Sequence, residues 1–175
     1  MKKILIVVDM QKDFVDGALG TKEAVSIVDN VTRKIENHKG DIIATYDTHP
    51  ENYMETREGK NLPVPHCIKG TDGWALDRKV QAALDKKGFK AIEKPTFGST
   101  ALIEYIKENY NPDELEIELV GLCTDICVVS NALLIKANFP EMMISADASC
   151  CAGVTPESHN AALTTMKMCQ INVLE

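Results

Sequence analysis

The sequence lacks the features of several large classes of protein. It has no apolar run near the ~18 residues that span a bilayer. The N-terminal run, residues 4–8, stops at Asp9, short of the ~7–15 apolar residues of a secretory signal. Basic side chains are fewer than acidic ones, 19 against 26, so the net charge is -7. Because such a chain repels phosphates, we expect neither nucleic acid nor a membrane as a partner.

Cysteines are present but without the spacing of a zinc ribbon or a redox pair. No C-x-x-C occurs among Cys67, Cys123, Cys127, Cys150, Cys151 and Cys169. With no export signal, these cysteines predict free thiols and a cytoplasmic location. A non-catalytic thiol- or metal-binding protein is an alternative, although the missing ligand spacing argues against it. Apolar residues are 45% and charged residues 26% of the chain, which excludes disorder as its main state.

Short apolar runs alternate with segments of helical period. The runs that resemble buried strands are residues 4–8, 42–44, 91–92, 115–120, 142–146 and 171–174. Helical spacing of apolar residues predicts helices around residues 28–35, 76–84, 102–106, 125–137 and 156–168. This alternation predicts a single α/β domain over residues 1–175, doubly wound around a mainly six-stranded parallel sheet with helices on both faces.

Polar residues follow three of the predicted strands. Asp9 follows the first strand, Lys94 the third, and Cys127 lies in the first helical turn after the fourth. They should meet, because the carboxyl ends of parallel strands share one edge of the sheet. A helix N-terminus and a nearby lysine favour a thiolate, which predicts Cys127 as a nucleophile and Asp9 as a proton carrier. The alternative is that Cys127 is a small buried apolar residue.

A second group of polar residues lies in the irregular stretch of residues 47–73. Asp47 and His49 are two residues apart and point the same way on an extended chain, with Glu58 and His66 further along. Carboxylate and imidazole ligands suit zinc, iron or manganese. Long irregular stretches within compact domains tend to be functional. The alternative is a set of solvated loop residues.

Five blocks of sequence follow one another along the chain: VVDMQKDF (7–14), DTHP (47–50), HCIKGTDG (66–73), EKPTFGS (93–99) and GLCTDICV (121–128). Together they resemble nicotinamidases, including pyrazinamidase-like members, of the isochorismatase-like cysteine hydrolase superfamily. The resemblance covers nearly the whole chain. One departure is that the family often has a tryptophan shortly before the second metal histidine, where this chain reads Asn61-Leu62-Pro63 and has its only tryptophan later, at Trp74.

The resemblance implies a set of site residues. The implied roles are a catalytic triad of Asp9, Lys94 and Cys127; metal ligands Asp47, His49 and His66, with Glu58 as a less closely matched fourth; an oxyanion hole from the N–H groups of Cys123 and Cys127; and substrate contacts from Phe14 and Phe97. It also implies a cis peptide between Leu122 and Cys123. The cofactor would be one divalent metal ion, with zinc expected first and iron or manganese as alternatives.

The resemblance further implies hydrolysis of nicotinamide to nicotinate and ammonia through a thioester, as part of NAD salvage. The partner would be a small-molecule amide, and whether the chain forms a homo-oligomer is left open. The nearest alternative is another amide or carbamoyl hydrolase of the superfamily that needs no metal. Outside these sites, we expect Cys150 and Cys151 to follow a strand as packing residues, Met142 and Met143 to be core, and His38 and His159 to lie on the surface.

Overall fold

A computed structural model describes residues 1–175. Six strands form one sheet in the order β3-β2-β1-β4-β5-β6, and every neighbouring pair is parallel. The strands are β1 (Lys2–Val8), β2 (Asp41–Asp47), β3 (Lys90–Lys94), β4 (Leu115–Leu122), β5 (Met143–Ala152) and β6 (Asn172–Leu174). The predicted α/β class with a parallel sheet is confirmed.

Helices cover both faces of the sheet. They are α1 (Lys12–Val15), α2 (Lys22–Asn37), α3 (Arg57–Asn61), α4 (Arg78–Lys87), α5 (Thr100–Asn109), α6 (Val129–Asn138) and α7 (Pro156–Met168). Alternate residues of β1 point to opposite faces: Leu5 and Val7 pack with α2 and α4, whereas Ile4 and Ile6 pack with α5, α6 and α7. This two-sided burial explains why β1 is a continuous apolar run. No helix has both the length and the apolar content needed to cross a bilayer.

The register of the strands brings the ends of β1, β2, β3 and β4 together. Asp47 pairs with Lys94 at the ends of β2 and β3, and Val8 pairs with Gly121 near the ends of β1 and β4. Gly121 has a φ of 120°, and a Cβ there would lie 2.2 Å from the Val8 carbonyl oxygen. Only glycine therefore allows β4 to approach β1 this closely just before the segment that carries Cys127.

Strand β5 is longer than the sequence predicts. Pairing with β4 shifts between Leu119 and Gly121 and then resumes through Ala152. Cys150 and Cys151 therefore lie within β5 rather than after it, and their side chains pack into cores on opposite faces of the sheet. Their predicted role in packing is confirmed. Met142 is buried as predicted, but Met143 is 51% exposed because the alternation of the strand turns it away from the core.

The long polar stretch after β2 is not entirely irregular. It contains a 3₁₀ turn (Tyr53–Glu55) and the short helix α3. Thr56 caps α3 by accepting a hydrogen bond from the Gly59 N–H at 3.0 Å. The sequence pattern missed these elements because each is too short to repeat an apolar period.

Candidate active site

The three residues predicted at the edge of the sheet meet in a buried group. Lys94 Nζ lies 2.6 Å from Asp9 Oδ2 and 3.2 Å from Cys127 Sγ. Asp9 directly follows β1, Lys94 ends β3, and Cys127 lies in the π-helical turn Thr124–Val128 after β4. The structure therefore brings together a carboxylate, an ammonium and a thiol from distant parts of the chain.

Three oxygen-bearing groups and one sulfur surround the ammonium of Lys94. Besides Asp9 and Cys127, its ammonium donates to the Thr96 carbonyl at 3.0 Å and lies 3.6 Å from Asp47 Oδ1. Burial alone would lower the pKa of Lys94, but attraction to Asp9, Cys127 and Asp47 outweighs it and raises that pKa. The side chain is thus a fixed cation and not a proton carrier.

Asp9 is placed to accept a proton. Its Oδ1 accepts a hydrogen bond from Thr45 Oγ1 at 2.6 Å, which orients the carboxylate. Its Oδ2 contacts the Lys94 ammonium but receives no hydrogen bond of regular geometry, so a lone pair is left for a proton. Burial raises the pKa of Asp9, and Lys94 offsets only part of that rise. A raised pKa makes Asp9 a stronger base than a solvated aspartate.

The pKa of Cys127 is raised, whereas its position at the start of a helix led us to expect a lowered pKa. Burial raises its pKa well above the usual value and the negative charge of Asp9 adds to the rise, while Lys94 lowers it only in part. Burial and the Asp9 charge therefore oppose the thiolate that the helix start and Lys94 favour. Removal of the thiol proton calls for a neighbouring base, and Asp9 is the carboxylate that pairs with Lys94 beside the sulfur.

A second group of side chains converges beside the first. The candidate ligand atoms of Asp47, His49, Glu58 and His66 all lie within 4.8 Å of one another. His49 Nε2 lies 2.9 Å from Asp47 Oδ2 and 3.5 Å from Glu58 Oε1, and His66 Nε2 lies 3.5 and 3.7 Å from the same two oxygens. Two imidazole nitrogens and two carboxylate oxygens are a donor set that fits a divalent metal ion such as zinc.

Contacts behind two of these four residues, His66 and Asp47, help to orient them. His66 donates its Nδ1 hydrogen to the Val64 carbonyl at 2.8 Å, which leaves the Nε2 lone pair for a ligand bond. Gln11, which is fully buried, donates from Nε2 to the Asp47 carbonyl and accepts the Asp47 N–H at Oε1, both at 2.8 Å. Gln11 therefore fixes the backbone that carries Asp47.

A small pocket with a volume of about 50 Å³ lies between the two groups. Its wall is mostly apolar and consists of Phe14, Leu19, Asp47, Glu58, Leu62, His66, Phe97, Cys123, Ile126 and Cys127. Phe14 is nearly buried and its ring centroid lies 5.4 Å from that of His66, whereas Phe97 is 44% exposed at the mouth. Both predicted substrate-contact residues thus lie on the pocket.

Leu62 occupies the part of the wall where the resemblance leads one to expect tryptophan. Its carbonyl accepts a hydrogen bond from the Tyr53 hydroxyl at 2.9 Å, which holds the end of α3 in place. Trp74 is not part of the pocket wall. It donates from Nε1 to Thr48 Oγ1, and its carbonyl accepts from Gln11 at 2.9 Å, so it supports the strand end behind the metal-ligand candidates.

Several residues that contact the site were not predicted as functional. Thr45 and Gln11 orient Asp9 and Asp47, and of these only Gln11 lies in a block of family resemblance. His159 was expected on the surface but is half-buried, and its Nδ1 lies 2.7 Å from Thr124 Oγ1 in the turn that carries Cys127. His38 is also half-buried, far from this site. The peptide between Leu122 and Cys123 is cis, as the resemblance implied.

Comparison with known proteins places the chain in a family. The sequence profile of the isochorismatase domain matches residues 3–175. The chain belongs to the isochorismatase family. Its relatives include the isochorismatase family protein PncA of Bacillus subtilis, which is 30% identical over 143 residues, or 76% of this chain and 78% of PncA.

Solved structures of similar proteins match this chain over its whole length. The crystal structure of nicotinamidase/pyrazinamidase PncA from Bacillus subtilis superposes with a TM-score of 0.83 at 29% identity and covers 100% of both chains. Pyrazinamidase of Pyrococcus horikoshii, solved in complex with zinc, gives a TM-score of 0.78 at 27% identity and covers 100% of this chain and 99% of its own. The resemblance to nicotinamidases that the sequence motifs predict is therefore confirmed.

Proposed function

We propose that the chain is a cysteine amidohydrolase that converts nicotinamide to nicotinate and ammonia. The observation that carries this proposal is the position of one small apolar pocket between two reactive groups. Cys127, with Asp9 and Lys94, lies on one side, and the cluster around Asp47 and His66 lies on the other. Relatives named nicotinamidase or pyrazinamidase share the fold over its full length.

The chemistry begins with a proton transfer from Cys127 to Asp9. The sulfur then attacks the amide carbonyl carbon, and the backbone N–H groups of Cys123 and Cys127 stabilise the oxyanion. Asp9 returns the proton to the amide nitrogen, the C–N bond breaks, and ammonia leaves behind a thioester on Cys127. Asp9 then takes a proton from water, whose oxygen attacks the thioester carbonyl carbon. The C–S bond breaks, Asp9 returns that proton to the sulfur and so restores the thiol, and the product loses its carboxyl proton to solvent and leaves as nicotinate.

Lys94 balances the charge during these steps. The negative charge moves between Asp9 and the sulfur of Cys127, and the ammonium lies within 3.2 Å of both. A fixed cation in this position stabilises either distribution of charge without itself losing a proton. The Thr45 hydroxyl donates to Oδ1 of Asp9 and so helps to keep the carboxylate beside the Lys94 ammonium.

Asp47, His49, His66 and Glu58 would hold a divalent metal ion, which we expect to be zinc, with iron or manganese as alternatives. When bound, such an ion supplies a Lewis acid for the ring nitrogen of a pyridine. Phe14, which packs against the His66 ring, and Phe97 at the mouth would contact the two faces of a flat aromatic ring. The aromatic walls therefore orient the carboxamide toward Cys127.

The charge of the pocket favours a neutral substrate. Its wall includes the carboxylates of Asp47 and Glu58, which balance the charge of a divalent ion, and the ammonium of Lys94 is paired with Asp9. The site therefore has no net positive charge that would attract an anionic substrate. A neutral amide, in contrast, enters without the free-energy cost of removing a charge from water. The same balance favours departure of the anionic product. Release of nicotinate fits a role in NAD salvage in the cytoplasm.

The experiment that tests this proposal compares matched amides. The purified protein is loaded with zinc, and ammonia release is measured from nicotinamide, pyrazinamide, benzamide and an N-carbamoyl amino acid. We expect rapid release from nicotinamide and pyrazinamide and at least ~100-fold slower release from benzamide, which lacks the ring nitrogen, a difference of about 2.7 kcal/mol. Preference for the carbamoyl compound would instead support the metal-independent alternative.

A further inference from the structure

Asn131 is a fully buried amide in the second turn after the nucleophile, and the proposed chemistry does not use it. It lies in α6, four residues after Cys127. Its Nδ2 donates to the Cys127 carbonyl at 2.8 Å and to the Phe97 carbonyl at 3.1 Å. Its Oδ1 accepts the Ser99 N–H at 2.9 Å. All three bonds go to backbone groups, two of them in a different part of the chain.

The partner segment, residues 95–99, links two parts of the site and is here called the Phe97 segment. It follows Lys94, whose ammonium donates to the Thr96 carbonyl at 3.0 Å. It carries Phe97 to the mouth of the pocket and ends at Ser99, whose hydroxyl caps α5 by accepting the Leu102 N–H. The segment lies against α6, since a Cβ on Gly98 would make an ordinary van der Waals contact of 3.5 Å with a Leu134 methyl carbon.

We propose that Asn131 is a positioning residue that holds the Phe97 segment against the helical turn of Cys127 and so sets the width of the substrate pocket. A buried asparagine inside a helix is unfavourable unless its amide is fully used, because asparagine is a poor helix former and unpaired buried amides are costly. Here the amide is used to join the two walls that carry Phe97 and Cys127. This inference rests on the proposed function only for its kinetic test.

The clamp is here the set of three hydrogen bonds that join the Asn131 side chain to Cys127, Phe97 and Ser99. Two substitutions separate its bond to Cys127 from its bonds to Phe97 and Ser99. In Asn131→Ser the hydroxyl still donates to the carbonyl four residues earlier, that of Cys127, a common contact in helices. It loses the contacts with Phe97 and Ser99. We expect KM for nicotinamide to rise about tenfold while kcat stays within about threefold. In Asn131→Ala the Cys127 carbonyl also loses the hydrogen bond from the side chain at position 131, so kcat should fall by about tenfold as well.

Asn138→Ala provides the matched control. Asn138 lies in the same helix, and its Nδ2 donates to the Leu134 carbonyl at 3.0 Å, again four residues earlier, but it does not contact the site. We expect kcat and KM of this variant to stay within about twofold of the wild type. A general loss of helix stability would affect this variant as well, whereas a loss of pocket geometry would not.

The outcomes separate failure of this inference from failure of the proposed function. If the wild type is active and Asn131→Ser has an unchanged KM, Asn131 is only a structural residue and the inference is overturned. If Asn131→Ala does not fold, Asn131→Ser decides. If the wild type releases no ammonia, the proposed function fails, and hydrogen exchange tests the clamp instead. Amides of residues 96–102 should then exchange at least ~10-fold faster in Asn131→Ser than in Asn138→Ala, and equal exchange would overturn the inference.

Discussion

Lys94 Nζ lies 3.2 Å from the sulfur of Cys127, although the strands that lead to these residues are not neighbours in the sheet. Lys94 ends β3, Cys127 follows β4, and β2 and β1 lie between them. Three strand spacings amount to about 14 Å, so the contact requires a long side chain from one side and a helical turn from the other. The contact depends on the whole topology and not on a local motif.

The buried ion pair of Lys94 gives a prediction about stability. Lys94→Met leaves the carboxylate of Asp9 buried without its cation, and we expect the free energy of unfolding to fall by about 3–5 kcal/mol. Adding Asp9→Asn removes the uncompensated charge and should restore part of the loss without restoring activity. Urea unfolding of both variants checks this. A double variant as unstable as Lys94→Met would contradict the assigned pairing.

The cluster of metal-ligand candidates gives a prediction about metal content. His66→Ala removes one of two imidazole donors, so a protein dialysed against zinc and then against buffer should retain much less than one zinc per chain. His38→Ala is the matched control, because His38 lies at the opposite end of the sheet, and it should retain the wild-type amount. Equal zinc in both variants, measured by atomic emission, would argue against the site.

The part of the pocket wall formed by Leu62 gives a prediction about substrate binding. Leu62→Ala removes apolar contact with the ring at a position that is 39% exposed, so KM for nicotinamide should rise about three- to tenfold with little change in kcat. Met54 is similarly exposed in the neighbouring 3₁₀ turn but is not part of the pocket wall. Steady-state kinetics of Met54→Ala should match the wild type. A larger rise in KM for Met54→Ala than for Leu62→Ala would mean that the substrate binds elsewhere.

An ion pair away from the site gives a prediction about acid stability. Asp147 Oδ2 lies 2.6 Å from Lys34 Nζ. Burial would raise the pKa of Asp147, but hydrogen bonds from Lys34 and Ser149 outweigh it and lower that pKa from its ordinary value. A lowered folded-state pKa means that the pair stabilises the fold above pH ~4 and that this stability is lost as the pH falls further.

The matching measurement is urea unfolding between pH 6 and pH 3. Asp147→Asn should be less stable than the wild type at pH 6, and the difference should shrink toward pH 3. Glu104→Gln is the control, because Glu104 is exposed on α5 and forms no ion pair. A constant difference between Asp147→Asn and the wild type across this range would contradict the assigned linkage.

The sequence predicts the sheet and the main site residues because apolar runs and the residues after them follow strand geometry. Asp9, Lys94 and Cys127 were expected at one edge, and the structure brings them together. The length of β5 was wrong because its pairing is irregular near Asp147 and resumes after it, which no periodic pattern shows.

Other features depend on tertiary contacts that local patterns do not show. Asn131 and Thr45 look like ordinary polar residues in a helix and a strand, and only their partners, 30 or more residues away, reveal their roles. The burial of Cys127, which raises its pKa, was not foreseen because a helix position is visible in sequence but the extent of burial is not. His159 was placed on the surface for the same reason.

The most direct test of the account is ammonia release from nicotinamide by five samples of the purified protein. These are the zinc-loaded wild type, the wild type after chelation, the chelated sample with zinc restored, and zinc-loaded Cys127→Ala, with Cys169→Ala as a control at an exposed thiol. We predict release by the loaded and restored wild type and by Cys169→Ala, and at least ~1000-fold less by the chelated sample and by Cys127→Ala. Full activity of Cys127→Ala, or no release by zinc-loaded wild type, would contradict the account.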